Sequence, residues 1–302
     1  MKIKKLHFVL FLSGFFSYSQ QAAQYTQYMY NPMSINPAYA GSRGVLSIFG
    51  LHRTQWVGLD GAPETNSLAI NTPLGKQIGG GLSFLTDKIG PIVESSVSAD
   101  VSYTIQTSEN YKLSFGVKGT LNLFDIDPTK LNSKDFNDLV LQNIENSLSS
   151  NIGAGLYYYS ENLYLGASIP NFFQNNSYDF NSIKIDKEYM NFYFIGGYVV
   201  DLSSNLKFKP AFMTKMIDGA PLQLDVSGNF LINDKFTIGA AWRWSAAVSA
   251  MAGFQISKGI YVGYGYDLET TKLANYNSGS HEIFLRFEFF KNTDYIVSPR
   301  FF

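Results

Sequence analysis

Polar and apolar residues alternate with a period of two along most of this chain. From Ser96 to Ile105, one parity carries Val97, Ala99, Val101, Tyr103 and Ile105, and the other carries Ser96, Ser98, Asp100, Ser102 and Thr104. The split recurs from Lys112 to Leu123, with Leu113, Phe115, Val117, Leu121 and Leu123 against Lys112, Ser114, Lys118, Thr120 and Asn122. From Leu222 to Phe230 it sets Leu222, Leu224, Val226 and Phe230 against Gln223, Asp225, Ser227 and Asn229. Successive side chains of a strand point to opposite faces, so each segment has one apolar and one polar face. About fourteen such strands are predicted, near 44–55, 63–73, 78–87, 93–106, 110–124, 149–159, 162–169, 188–201, 205–215, 221–231, 235–244, 246–257, 259–268 and 280–290. A soluble sandwich shares the alternation. An even number of segments, each about ten residues long, behind a secretion signal points instead to an all-β transmembrane antiparallel barrel.

The connections supply an independent test. If the first strand runs outward, every second connection is periplasmic. These are Pro73-Leu74-Gly75-Lys76, Thr107-Ser108-Glu109-Asn110, Ser160-Glu161-Asn162, Leu202-Ser203-Ser204-Asn205, Ile232-Asn233-Asp234 and Ser257-Lys258-Gly259, all short and made largely of turn residues. The long insertions, Asp125 to Leu148 and Asn171 to Lys187, fall on the other side, as in outer-membrane barrels. Within the first insertion, Phe136, Leu139, Val140, Ile144 and Leu148 recur at helical spacing and predict a short helix over 132–148.

Lys2, Lys4 and Lys5, the apolar run Leu6 to Phe16, and the small-x-small triplet Ser17-Tyr18-Ser19 read as a signal peptide over residues 1–19. The predicted organisation continues with a periplasmic or lumenal segment over 20–43, the barrel over 44–290 and a periplasmic tail over 291–302. Asn36-Pro37-Ala38-Tyr39-Ala40-Gly41 is too rich in turn residues for a strand, and Pro37 cannot donate to a ladder. The last strand, Ile283 to Phe290, alternates Ile283, Leu285, Phe287 and Phe289 toward lipid and has the aromatic ending of a closing strand.

Composition narrows the chemistry. Charged residues make up 16% of the chain, against roughly 25% in ordinary soluble proteins. Aromatics also make up 16%, with 20 Tyr and 25 Phe. Mean hydropathy is −0.05, too polar for a helical membrane protein. A net charge of −1 gives no reason to expect nucleic acid. There is no cysteine, which excludes disulfides, thiolate metal sites, a thiol nucleophile and lipidation at an N-terminal cysteine. His7 leaves with the signal, so His52 and His281 are the histidines a barrel hydrolase would need. Ser280 adjoins His281 but points to the opposite face, and no triad is visible. Gly79-Gly80-Gly81 lacks the following Lys-Ser/Thr of a phosphate loop and is expected to let a strand bend. The acidic residues are scattered singly, with no calcium loop. Lys112, Lys118, Lys207, Lys209 and Lys215, with Asp100 and Asp225, are expected to mix charges inside the lumen. No enzyme activity, metal or cofactor is expected.

Several ordered motifs remain: Gln27-Tyr28-Met29-Tyr30-Asn31-Pro32, Ile35-Asn36-Pro37-Ala38-Tyr39-Ala40-Gly41, Arg53-Thr54-Gln55-Trp56, Gly61-Ala62-Pro63-Glu64-Thr65, Gly279-Ser280-His281-Glu282-Ile283 and the terminal Ser298-Pro299-Arg300-Phe301-Phe302. Together they resemble the PorP/SprF family of type IX secretion system membrane proteins over essentially the whole mature chain. The resemblance implies an outer-membrane barrel working with secretion and gliding-motility components. It implies support for the export or surface anchoring of a partner adhesin, often one with its own C-terminal sorting domain. It brings no catalytic residue. Asn36, Pro37, Ala38, Tyr39, Gly41, Arg53, Gln55, Trp56, Gly61, Pro63, Gly279, Ser280, His281 and Glu282 are family-motif positions without an assigned role, and Trp56 is expected near the upper aromatic girdle. Arg300, Phe301 and Phe302 offer a cation and two aromatic anchors to a partner. The competing reading is an outer-membrane transport barrel or pore for small, hydrophobic molecules.

Overall fold

The wall of the molecule is one closed antiparallel sheet, and the alternation of side chains sets its inside and its outside. The computed structural model describes residues 28–127, 147–173, 179–180, 183–184, 190–217 and 220–290. The expected signal peptide over 1–19, the tail with Arg300, Phe301 and Phe302, and nearly all of the helix predicted over 132–148 lie outside the described residues. The last two positions of that helix, Ser147 and Leu148, open a strand instead.

The strands are β1 (Leu46–Thr54), β2 (Glu64–Pro73), β3 (Ile78–Ile89), β4 (Ile92–Gln106), β5 (Lys112–Ile126), β6 (Ser147–Tyr159), β7 (Leu163–Ile169), β8 (Asp179–Phe180), β9 (Ile183–Lys184), β10 (Asn191–Tyr198), β11 (Val200–Ser203), β12 (Leu206–Ile217), β13 (Gln223–Ile232), β14 (Phe236–Arg243), β15 (Ala247–Ser257), β16 (Ile260–Glu269) and β17 (Ser280–Phe289). Sequence neighbours pair all the way round. β1 pairs with β17 from Leu46↔Phe289 to Thr54↔His281, and β10 pairs with β12, so no edge is left in the ring. Closure is what lipid demands, because an open edge there has no water to hydrogen-bond. β10 and β11 are two pieces of one wall strand, interrupted at the buried Val199, and the ring therefore has the fourteen strands the alternation predicts. The two-residue strands β8 and β9 form a separate hairpin within the second long insertion, where the sequence pattern predicts no strand.

Exposure follows parity. Val97, Val101, Val117, Leu121 and Val226 face outward, while Ser98, Asp100, Ser102, Lys118 and Asp225 are buried inside. On β17, Ile283, Leu285, Phe287 and Phe289 face out, and Phe284 and Arg286 face in. The outer face thus carries the apolar surface a bilayer requires. Among the charges expected inside, Lys118, Lys209, Lys215, Asp100 and Asp225 are buried there. Lys112 and Lys207 are not: Lys112 opens β5 in exposed surroundings, and Lys207 pairs with Asp234 near the rim at 3.0 Å. Both stand within a position or two of a short turn, where water reaches the ammonium.

β1 begins and β17 finishes at one end of the barrel, here called the near end; the other is the far end. All the short connections counted above lie at the near end, and the long insertions lie at the far end.

Candidate functional site

A fourteen-strand wall is wider than the eight-strand barrels whose interiors side chains alone can fill. The residues before β1 occupy that space. Chain from Tyr28 to Tyr39 makes three short 3₁₀ turns, Tyr28–Tyr30, Pro32–Ser34 and Pro37–Tyr39, and nearly all of its side chains are buried. Two prolines fall at the starts of turns, where a missing N–H costs no helical bond. The Asn36 side chain caps the third turn by accepting from the Ala38 N–H at 3.0 Å, and donates to the Leu156 carbonyl of β6 at 2.9 Å.

The wall answers the backbone groups this segment leaves open. Ser102 donates to the Ala40 carbonyl (2.6 Å), Ser168 to the Ile35 carbonyl (2.8 Å), Lys118 Nζ to the Met33 carbonyl (3.0 Å) and Arg286 to the Tyr30 carbonyl (2.8 Å). The Gly41 N–H donates to Asn71 Oδ1 at 2.6 Å, and Arg43 pairs with Glu288. Tyr30 lies against the Tyr261 and Phe284 rings, with centroids 5.8 and 4.4 Å away. Because Leu156 is on β6 and Tyr261 on β16, seven places apart in the ring, the segment reaches from one wall to the opposite one.

Glycines make the contact possible. A Cβ on Gly79 would stand 2.1 Å from the Ala40 oxygen, one on Gly116 2.2 Å from the Ala38 nitrogen, and one on Gly155 2.1 Å from Asn36 Oδ1. Gly79-Gly80-Gly81 therefore does more than relax a strand. Gly79 and Gly81 clear the wall beneath Ala40 and Met33, while Gly80 faces Leu74.

The remaining motif residues gather at the far end, across the β1–β17 seam. Arg53 is 2% exposed and donates to Asp267 Oδ2 at 2.8 Å and to Glu282 Oε2 at 3.0 Å. After β1, the Gln55 N–H donates to the Pro63 carbonyl (2.9 Å) and the Trp56 N–H to Ser280 Oγ (3.2 Å). The Trp56 indole N–H reaches Glu269 Oε2 at 3.3 Å, so its polar edge is committed to the rim rather than left for headgroups. Trp56 itself sits at φ 44°, a left-handed conformation, and Gly61 and Gly279 are left-handed too. Val57 and the Gly279 carbonyl, then Ser278 and the Val57 carbonyl, continue the seam beyond the strands at 2.9 and 2.8 Å. Arg53-Thr54-Gln55-Trp56 and Gly279-Ser280-His281-Glu282, more than two hundred positions apart, are thus one structural unit. Pro37, Ala38, Tyr39 and Gly41 belong to the lumenal segment and are not part of it.

The histidines stand apart from this interior. His52 is exposed on the outer face with Nδ1 2.8 Å from Asn66 Oδ1, and His281 lies between Tyr264 and Tyr266 while Ser280 faces inward. Asp225, one of the charges the sequence places in the lumen, pairs with Arg243 at 2.8 Å. Arg243, Asp267 and Arg286 carried no separate signal in the sequence and read only as polar-face residues of strands.

The closed wall, apolar outside and polar occupied interior define an outer-membrane β-barrel. Two solved barrels share the architecture. The Ralstonia pickettii toluene transporter TbuX is 9% identical with a TM-score of 0.51, over 85% of this chain and 93% of that one. The CymD monoaromatic hydrocarbon channel is 10% identical with a TM-score of 0.50, over 85% and 92%. At such identity the likeness concerns the fold. No curated protein matches the chain. The family described as type IX secretion system membrane protein PorP/SprF matches residues 17–287, and the chain belongs to it. It is an outer-membrane component of that secretion system.

Proposed function

We propose that this barrel holds a secreted partner polypeptide at the cell surface, or supports its export, rather than conducting small molecules. The carrying observation is the lumenal segment 28–44, which crosses the barrel from wall to wall and is hydrogen-bonded at both sides. A filled lumen suits a docking platform better than a channel. In this reading the far end faces outward and the long insertions 127–146 and 170–190 contact the partner, an adhesin or its C-terminal sorting domain. The tail 291–302 stays in the periplasm, where Arg300, Phe301 and Phe302 engage other type IX secretion or gliding components. No catalytic step is assigned. The motif residues around Arg53 and Glu282 brace the outer rim that presents the insertions.

Affinity purification from native membranes tests the reading directly. A large secreted surface polypeptide should co-purify, and the isolated barrel should carry no steady current in a planar bilayer. Steady current with no surface polypeptide in the eluate would favour a small-molecule path instead.

A further inference from the structure

The apolar band on the outside of the barrel differs in height from one side to the other. At β13, the outward-facing residues from Phe230 to Leu222 include no polar side chain, and the same holds at β14 from Phe236 to Trp244. Each run covers eight positions, about 20 Å of height on a strand tilted by about 40°, close to the roughly 25 Å of a bilayer's apolar band. Across the β1–β17 seam the band stops short. On β1 it runs from Leu46 through Ile48 to Gly50, about 10 Å, and then gives way to His52 and Thr54. Asn66 and Glu64 follow Leu68 on β2, Thr86 and Lys88 follow Phe84 on β3, and His281 follows Ile283 on β17. Register joins these residues into one patch. His52 stands beside Asn66 and Asn66 beside Thr86, while Thr54 lies between His281 and Glu64.

We infer that this polar notch seats the saccharide headgroup of an outer-leaflet glycolipid, whose acyl chains lie on the apolar wall below it. The inference rests on the reading in which the far end faces outward. Three features point to that occupant. The patch is polar toward the far end and apolar directly below, where Leu68, Phe84, Ile283 and Leu285 are exposed, and an amphiphile matches both parts. Its charges cancel, because Glu64 and Lys88 are cross-strand partners, so it suits a ligand rich in hydroxyls over a bare anion. Its neutral groups support one another beside lipid: His52 Nδ1 lies 2.8 Å from Asn66 Oδ1 and Nε2 3.2 Å from Thr54 Oγ1, and the Tyr264 hydroxyl meets His281 Nδ1. The Asn66 amide offers N–H donors to sugar hydroxyls, and the rings of Tyr264 and Tyr266 beside His281 offer aromatic faces with a polar tip at headgroup level.

The purified barrel in detergent is incubated with lipopolysaccharide or with phosphatidylethanolamine, and the lipid retained after gel filtration is measured. A triple variant, His52→Leu, Asn66→Leu and Thr86→Leu, levels the apolar band. These outward changes favour insertion, and heat-modifiable migration checks that the variant is folded. Thr214→Leu, an outward position on β12 away from the notch, is the control. The native and Thr214→Leu barrels should retain at least tenfold more lipopolysaccharide than phosphatidylethanolamine, and the triple variant should lose that preference tenfold. Equal retention of the two lipids by the native barrel, or an unchanged preference in the triple variant, would overturn the inference. Because the chain has no cysteine, Asp60→Cys in the far loop reads orientation separately, by labelling in intact cells with an impermeant maleimide. A far end on the wrong side of the membrane is thereby distinguished from a notch that binds no glycolipid.

Discussion

Gly116 and Gly155 show at the scale of single residues how the lumen accommodates its occupant. Both face inward, and both would drive a Cβ into the backbone or the Asn36 side chain of the segment. Overpacking of this kind costs about 1–3 kcal/mol. Gly116→Leu should therefore lower stability by that amount or expel the segment, detected as new protease cleavage between residues 28 and 44 in folded barrels. Gly119→Ala, whose Cβ meets nothing within 4 Å, should change neither. The buried Arg53 poses the opposite problem, since two carboxylates depend on it. Arg53→Met leaves Asp267 and Glu282 facing each other out of water, and such a break costs about 3–5 kcal/mol. Adding Glu282→Gln and Asp267→Asn should recover much of that loss in denaturant unfolding from lipid vesicles. No recovery would mean that the Arg53 stem matters for packing and its charge does not.

The elements are where periodicity speaks most plainly. The predicted strands over 63–73 and 162–169 correspond to Glu64–Pro73 and Leu163–Ile169, because a half-lipid, half-lumen strand must alternate along its whole length. The single strand predicted over 188–201 is the wall strand made of β10 and β11, divided at Val199, which is buried on the same inner parity as Tyr193 and Ile195. The Val199 N–H donates to Asn162 in the neighbouring turn, a partner fixed only by the fold. Val117, 58% exposed near the middle of β5, sits on the apolar outer face. Val117→Arg should cost about 2–4 kcal/mol in folding from urea into vesicles. Glu109→Arg, in a water-exposed turn, should fall within about 0.5 kcal/mol of the native chain. Equal costs would contradict a lipid-facing β5.

At the scale of the whole molecule, the wall and the lumenal segment are separable in principle. Deleting residues 28–42 removes no wall strand, so the ring should still close and reach the outer membrane. It should then conduct in a planar bilayer where the native barrel is expected to be silent, and it should unfold at lower denaturant because Lys118 and Arg286 lose their carbonyl partners. A deletion of 292–302 likewise spares every strand of the ring. If the tail engages secretion or gliding components, this truncation should reach the outer membrane yet display less partner at the surface, measured by antibody on intact cells. Normal display would remove the tail from the proposed mechanism.

The sequence by itself determined the wall: its strand number, its inner and outer faces, its short and long connections and its family. Each of these is a local or periodic property, because lipid on one side and polar groups on the other constrain every second residue. The interior was decided by the tertiary structure. Turn-rich residues 36–41 suggested a lumenal or periplasmic segment, but no periodicity ties Asn36 to Leu156, Tyr30 to Arg286 or Arg53 to Glu282. Those contacts join positions 120 to 256 residues apart, and only closure of the ring brings them within bonding distance.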